Sequence, residues 1–223
     1  MVKSLVLRIL AVVSGFLGMA ILSYTLYPLA RYELYAQERY SPLLSPIPDS
    51  ERMPDVSSEY DLTLASNWFP GGAKHEEFVT SKVNYYSISI PKLKINKKTV
   101  SIGGEDLAQS LIQYPGTALP GKKGNTVIFG HSILPIFYDP DNYLAIFSTL
   151  PSLIKGDKIE VDYDGISYIY RVSDMFEVEP SALEVLEQGD STEVLSLITC
   201  VPPGHPLKPR RLIVRAKLSP LEK

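Results

Sequence analysis

The 223 residues suffice for one domain with added segments, and 45% hydrophobic with 21% charged residues is a globular composition. A net charge of −3 leaves no basic surplus of the kind that a nucleic-acid partner needs. With one cysteine in the chain no intramolecular disulfide can form, so the thiol is buried and inert, paired between chains, or reactive.

Residues 1–8 are short and carry Lys3 and Arg8. Residues 9–30, "ILAVVSGFLGMAILSYTLYPLA", hold 22 uncharged and mostly apolar residues. At about 1.5 Å per residue a helix of this length crosses a hydrocarbon core of about 30 Å. The run is longer than a signal-peptide core and has no clear small-x-small cleavage site, which favours an uncleaved signal anchor. Arg31 follows, but Glu33 and Glu38 come soon after, so the charge bias is small. Its sign favours a cytoplasmic N-terminus and an external location for residues 31–223. Pro28 is a candidate kink.

Residues 31–82 read as a stalk. Prolines stand at 42, 46, 48, 54 and 70 among serines and acidic residues, so the stretch is expected to be extended or irregular. Its start, "RYELYAQERY", can prolong the helix by a few turns, and "LTLASNWFP" offers Trp68 for docking on the domain.

From residue 83 the pattern changes to period-2 alternation. "NYYSISIP" puts Tyr86, Ile88 and Ile90 on one side. "KIEVDY", "ISYIYRV", "EVLSLITC" and "RLIVRAKL" follow as further strands. Gly156-Asp157 is a turn, and Asp164-Gly165 a hairpin turn. Short helices are predicted at 105–112 and 181–188. Fourteen tyrosines against one tryptophan also lean towards β structure. Residues 83–223 are therefore an all-β domain, a closed barrel or a sandwich.

Cys200 ends the strand "LSLITC" on the face of Ser196 and Ile198, opposite Leu195, Leu197 and Thr199. A reactive thiol needs a nearby cation or base. His131 closes the apolar run "GNTVIFGH", where Gly130 lets the backbone turn sharply. His75 lies in the stalk, solvated, and His205 in a turn that orients it poorly towards Cys200. Arg211 opens the last strand and shares a face with Ile213 and Arg215. A guanidinium there suits the oxyanion of an acyl transfer, whereas Arg210 and Arg215 read as solvated. One cysteine and three scattered histidines give no metal-ligand spacing.

Three strand-end motifs together resemble a known family. "LITC" (197–200), "FGH" (129–131) and "RLIVR" (211–215) match the cysteine, histidine and arginine signatures of sortases, membrane-anchored cysteine transpeptidases. "SISIPKLKI", "LPGKKGNTVIFGHS" and "IFSTLPSLIKGDKIEV" add to the likeness, which covers about residues 83–218. The resemblance implies an eight-stranded barrel outside the membrane. It implies that Cys200 attacks the carbonyl after the threonine of a Leu-Pro-x-Thr-Gly-like sorting signal, forming a thioacyl enzyme that an amine resolves. His131 would be the general acid and base, and Arg211 would hold the carbonyl or oxyanion. Thr199 and Ile198 would contact the substrate. Arg211 is preferred to Arg210 because Leu-Ile-Val-Arg follows it. The implied partners are proteins bearing such a signal, an amine from a cell-wall precursor or a pilin lysine, and the bilayer. No cofactor is implied. Some relatives use calcium, but the acidic residues here lack calcium-loop spacing. The insert "SILPIFYDPDNYLA" (132–145) either lines the groove or caps the barrel. Two other function classes remain: a cysteine hydrolase on the same scaffold, and a non-catalytic, membrane-tethered peptide-binding barrel.

Overall fold

The computed structural model describes residues 2–40, 61–78, 84–189 and 191–220. The chain divides into two units, residues 1–39 and 40–223.

The first unit is one helix, α1 (Val2–Arg39), which continues through Pro28 and takes in most of "RYELYAQERY". Leu7, Leu10, Val13, Phe16, Leu17 and Ile21 are all exposed, and no polar stripe interrupts them. A helix that is apolar all round is suited to lipid, where its backbone bonds are satisfied internally. It is long and apolar enough to cross a membrane.

The second unit is a closed eight-stranded barrel. Its strands are β1 (Asn84–Ile90), β2 (Ile95–Ile102), β3 (Leu111–Gln113), β4 (Gly124–Phe129), β5 (Lys158–Tyr163), β6 (Ile166–Val178), β7 (Glu193–Val201) and β8 (Arg210–Leu218). Their order round the barrel is β1-β2-β3-β4-β7-β8-β6-β5, and β1 closes on β5. Closure leaves no open sheet edge. The pairs β2–β3 and β4–β7 are parallel, and the others are antiparallel. The five alternating segments all form strands. Asp164 and Gly165, both at positive φ (51° and 74°), make the expected two-residue turn between β5 and β6.

Both faces of β7 are buried. Leu195 and Leu197 fill the barrel interior with Ile88, Val161, Tyr170 and Val214. Ile198 and Cys200 face outward, into a second apolar cluster with Val127, Phe129, Ile213, Phe176, Trp68 and Phe69. That outer cluster holds the candidate site.

Two helix expectations are corrected. Residues 105–112 are not a helix. The Asp106 carboxylate accepts bonds from the Ala108 N–H (2.8 Å) and the Gln109 side-chain amide (2.7 Å), which makes a local turn instead. Leu111 and Ile112 then enter β3. Over 181–188 only a single 3-10 turn forms, Leu183–Leu186. The Asn125 side chain and the peptide N–H groups of Ala118 and Asn125 bind this segment at Val185 O and at the Gln188 side chain (3.0–3.1 Å), and so tie it to β4.

The described parts of the region read as a stalk, residues 31–40 and 61–78, are not extended. Helix α1 covers its start, and residues 61–78 pack into the outer cluster with Trp68 and Phe78 fully buried. The aromatic and aliphatic residues of "LTLASNWF" outweigh the neighbouring prolines. Pro42, Pro46, Pro48 and Pro54 lie outside the described residues.

Candidate active site

Strand register brings the three candidate residues together. On the antiparallel pair β7–β8, Cys200 lies directly opposite Arg211. Direct partners project from the same face at about 5 Å. On the parallel pair β4–β7 the last register pair is Phe129 with Ile198. Two residues further along each chain come His131 and Cys200, on that same outer face. The Gly130 N–H donates to Ile198 O (3.1 Å), the Thr199 hydroxyl to Gly130 O (2.8 Å), and the Ser132 hydroxyl to Cys200 O (2.6 Å).

Gly130 is needed for space. A Cβ there would meet Leu111 and Phe147 at 2.5 Å. Its φ is not in the left-handed region, so the expected sharp turn is not the reason for glycine. At the end of β7 the chain passes through a cis Val201–Pro202 bond into "PPGHPLKP", residues 202–209, the proline-rich link to β8.

A strap formed by residues 61–78 covers the site. Leu64 bridges to Asp106, the Ala65 N–H donates to Glu105 O (3.2 Å), and the Leu107 N–H to Thr63 O (3.0 Å). The Glu105 carboxylate holds the strap on both sides of Trp68, accepting from the Ser66 hydroxyl and pairing with His75 Nδ1. The Tyr114 hydroxyl accepts the Ala73 N–H. Between these clasps, the Trp68 ring stacks on Phe129 (5.1 Å between centroids) and lies 5.7 Å from the His131 ring. Its indole N–H donates to Leu62 O (2.8 Å). Cys200 and Arg211 are each 1% exposed, and His131 4%.

The Arg211 guanidinium sits 5.6 Å from the Trp68 ring. It donates to the Trp68 carbonyl from Nε (3.3 Å) and Nη2 (3.1 Å), and to Lys208 O from Nη1 (2.9 Å). The cation therefore already binds a peptide carbonyl beside the thiol. Arg210 faces elsewhere and pairs with Glu177 at 2.9 Å. Strand alternation puts Arg211, and not Arg210, opposite Cys200. Arg215 lies 5.2 Å from the Phe176 ring and is half-buried rather than solvated.

Burial above all, and then the Lys208 charge, push the His131 pKa down from 6.5 to about 4 against the opposing charges of Asp61 and Asp106. The imidazole is therefore neutral at pH 7 in the covered site. Its Nε2 is buried and makes no hydrogen bond among the described residues. No cluster of three His, Cys, Asp or Glu suited to a metal occurs among the described residues.

Thr199 and Ile198, expected to touch substrate, are fully buried. Ile198 lies in the cluster under the strap, and the Thr199 hydroxyl turns to Gly130 O. His205 stays in its own turn, where Nδ1 accepts the Leu207 N–H (3.2 Å). His75 remains largely exposed (62% of its side chain) but is paired with Glu105. The insert 132–145 is tied to the β1–β2 hairpin: the Tyr138 hydroxyl donates to Leu93 O, Tyr143 accepts from the Thr99 N–H (3.0 Å), and Lys98 pairs with Asp141. Sequence reasoning missed Glu105 and Ser132. The signal for the strap was "LTLASNWFP", whose Trp68 was expected to dock on the domain.

A closed barrel with cysteine, histidine and arginine gathered at adjoining strand ends defines the class. A family model described as the sortase domain matches residues 88–219, more than half of the chain. The chain belongs to the sortase family. It is 37% identical over 79 residues to sortase A of Bacillus anthracis, a match that spans 35% of this chain and about a third (34%) of that relative. A sortase D5 transpeptidase from Clostridium perfringens shares the fold, with a TM-score of 0.53 and 23% identity over 67% of this chain and 91% of that one. Sortase A from Corynebacterium diphtheriae is similar at a TM-score of 0.53 and 28% identity, over 62% of this chain and 61% of that one. A lid mutant of that sortase A gives 0.54 and 27%, over 64% and 74%.

Proposed function

We propose that the chain is a cysteine transpeptidase acting on proteins with a Leu-Pro-x-Thr-Gly-like sorting signal, outside the membrane that α1 crosses. The observation that carries this reading is the grip of Arg211 on the Trp68 carbonyl beside Cys200 and His131. A site built to hold a peptide carbonyl next to a thiol and an imidazole is suited to acyl transfer.

With the strap in place no peptide reaches Cys200, so catalysis requires residues 61–78 to move aside. The substrate carbonyl then takes the place of the Trp68 carbonyl on Arg211. The Cys200 thiol passes its proton to His131 as its sulfur adds to the carbonyl carbon after the threonine, and the guanidinium stabilises the oxyanion. Collapse breaks the C–N bond, and His131 gives a proton to the departing amine. The thioacyl enzyme is resolved by an incoming amine, which loses its proton to His131. A cell-wall precursor or a pilin lysine would supply that amine. Uncovering the imidazole returns its pKa towards the ordinary range, where it can serve as both acid and base near neutral pH.

Product analysis with and without an added amine tests the reading. Ligated product that appears only with amine supports the transpeptidase. Hydrolysed peptide alone, whatever the amine, would make the chain a cysteine hydrolase.

A further inference from the structure

We infer that Ser132 is a positioning residue for the Cys200–His131 pair, its hydroxyl carrying the β4–β7 ladder past the point where the two backbones part. The inference rests on the reading of Cys200 and His131 as the reacting pair.

Strand β4 ends at Phe129, whereas β7 runs on to Val201 as the partner of β8. The Gly130 N–H makes a last backbone bond to Ile198 O. Beyond it, two side-chain hydroxyls continue the stitching, from Thr199 to Gly130 O and from Ser132 to Cys200 O at 2.8 and 2.6 Å. His131 lies between these two ties. Its own carbonyl accepts the Phe147 N–H (2.9 Å), and the Ile133 N–H donates to the Ser148 hydroxyl (2.9 Å). Those bonds hold the histidine to the segment after it, not to β7. On the far side of His131, the Ser132 hydroxyl is the hydrogen bond that refers the imidazole to the backbone of the cysteine itself. Ser132 is 2% exposed, and Cys200 O is its hydroxyl's one partner among the described residues. A buried hydroxyl keeps such a bond because no water replaces it. Displacement of a reacting group by about 1 Å can cost about a hundredfold in rate.

The test uses the full chain in detergent. Ser132→Ala, Ser132→Thr and Ser132→Val are compared with the wild type and His131→Ala. Threonine and valine have the same shape and differ in the hydroxyl, so their comparison stands even if the alanine variant does not fold. Two properties are measured: kcat and KM for acylation by a sorting-signal peptide, and the pH profile of Cys200 alkylation by iodoacetamide. We expect Ser132→Ala and Ser132→Val to lower kcat by roughly tenfold or more with KM little changed, and Ser132→Thr to stay close to wild type. The alkylation profiles of the alanine and valine variants should move towards that of His131→Ala. Equal behaviour of threonine and valine, or a wild-type alkylation profile in both Ser132→Ala and Ser132→Val, overturns the inference. Alkylation needs no peptide. A shifted profile in a chain that no peptide acylates would therefore sink the transpeptidase reading and leave the role of Ser132 standing.

Discussion

His131 is held neutral by its surroundings, and this has a consequence for stability. Its pKa is about 4 in the folded, covered site and about 6.5 when freed. Between those values the unfolded chain binds more protons than the folded one, so stability is complete above about pH 6.5 and falls as the pH drops towards 4. A shift of this size corresponds to about 3 kcal/mol at the acid end. Denaturant titrations from pH 7 to pH 4 should show this loss in the wild type and a shallower one in His131→Asn, and parallel curves would contradict it. At Arg211 the expectation is catalytic. Arg211→Ala should lower acylation by about a hundredfold or more, and Arg211→Lys should restore little, because an ammonium lacks the two-donor fork. Steady-state acylation rates measure both. The proximity of Cys200, His131 and Arg211 was legible in the sequence from the strand ends and the motifs they carry: Cys200 ends and Arg211 opens an alternating strand, and His131 follows Gly130 at the close of an apolar run. Ser132 was not, since it lies past the end of β4, where alternation says nothing about where a hydroxyl points.

Among the elements, the strap carries the largest consequence. Burying one tryptophan removes about 150–250 Å² from water, which at about 25 cal/mol per Å² favours the covered state by several kcal/mol. Trp68→Ala removes that burial, the contact with Phe129 and the face offered to Arg211. Alkylation of Cys200 should accelerate by about tenfold or more in this variant. Glu105→Gln weakens the pairing with His75, and should accelerate alkylation in the same direction but less. An unchanged alkylation rate in Trp68→Ala would mean that the strap does not limit access. Local pattern carries little sign of this strap. Proline content pointed to an extended stalk, yet the strap is held by residues about 40 positions away, such as Glu105 and Tyr114. Similarly, "EDLAQSLI" has the composition of a helix. Its backbone is instead claimed at Glu105 and Leu107 by the strap and at Leu111 and Ile112 by β2 and β4. Local pattern cannot report such long-range pairing.

For the whole molecule, an all-β domain and an apolar helix were both legible in outline, because alternation and an unbroken apolar run are local signals, whereas the choice of a closed barrel over a sandwich came only from the family resemblance. The strand order was not, since the parallel β4–β7 pair joins segments about 70 residues apart in sequence. The full chain should sediment with membranes and be released by detergent rather than by salt. Proteolysis of intact cells, stripped of their wall, should remove the barrel if it lies outside, and sparing it would reverse the proposed orientation. The most direct test of the central claim is intact-mass analysis of the full chain after incubation with a library of Leu-Pro-x-Thr-Gly-like peptides, with Cys200→Ala beside it. An acyl adduct on the wild type that maps to Cys200 and is discharged by an added amine is the expected result. An adduct on both proteins, or none with any peptide even in the Trp68→Ala variant, would contradict a transpeptidase working through this thiol.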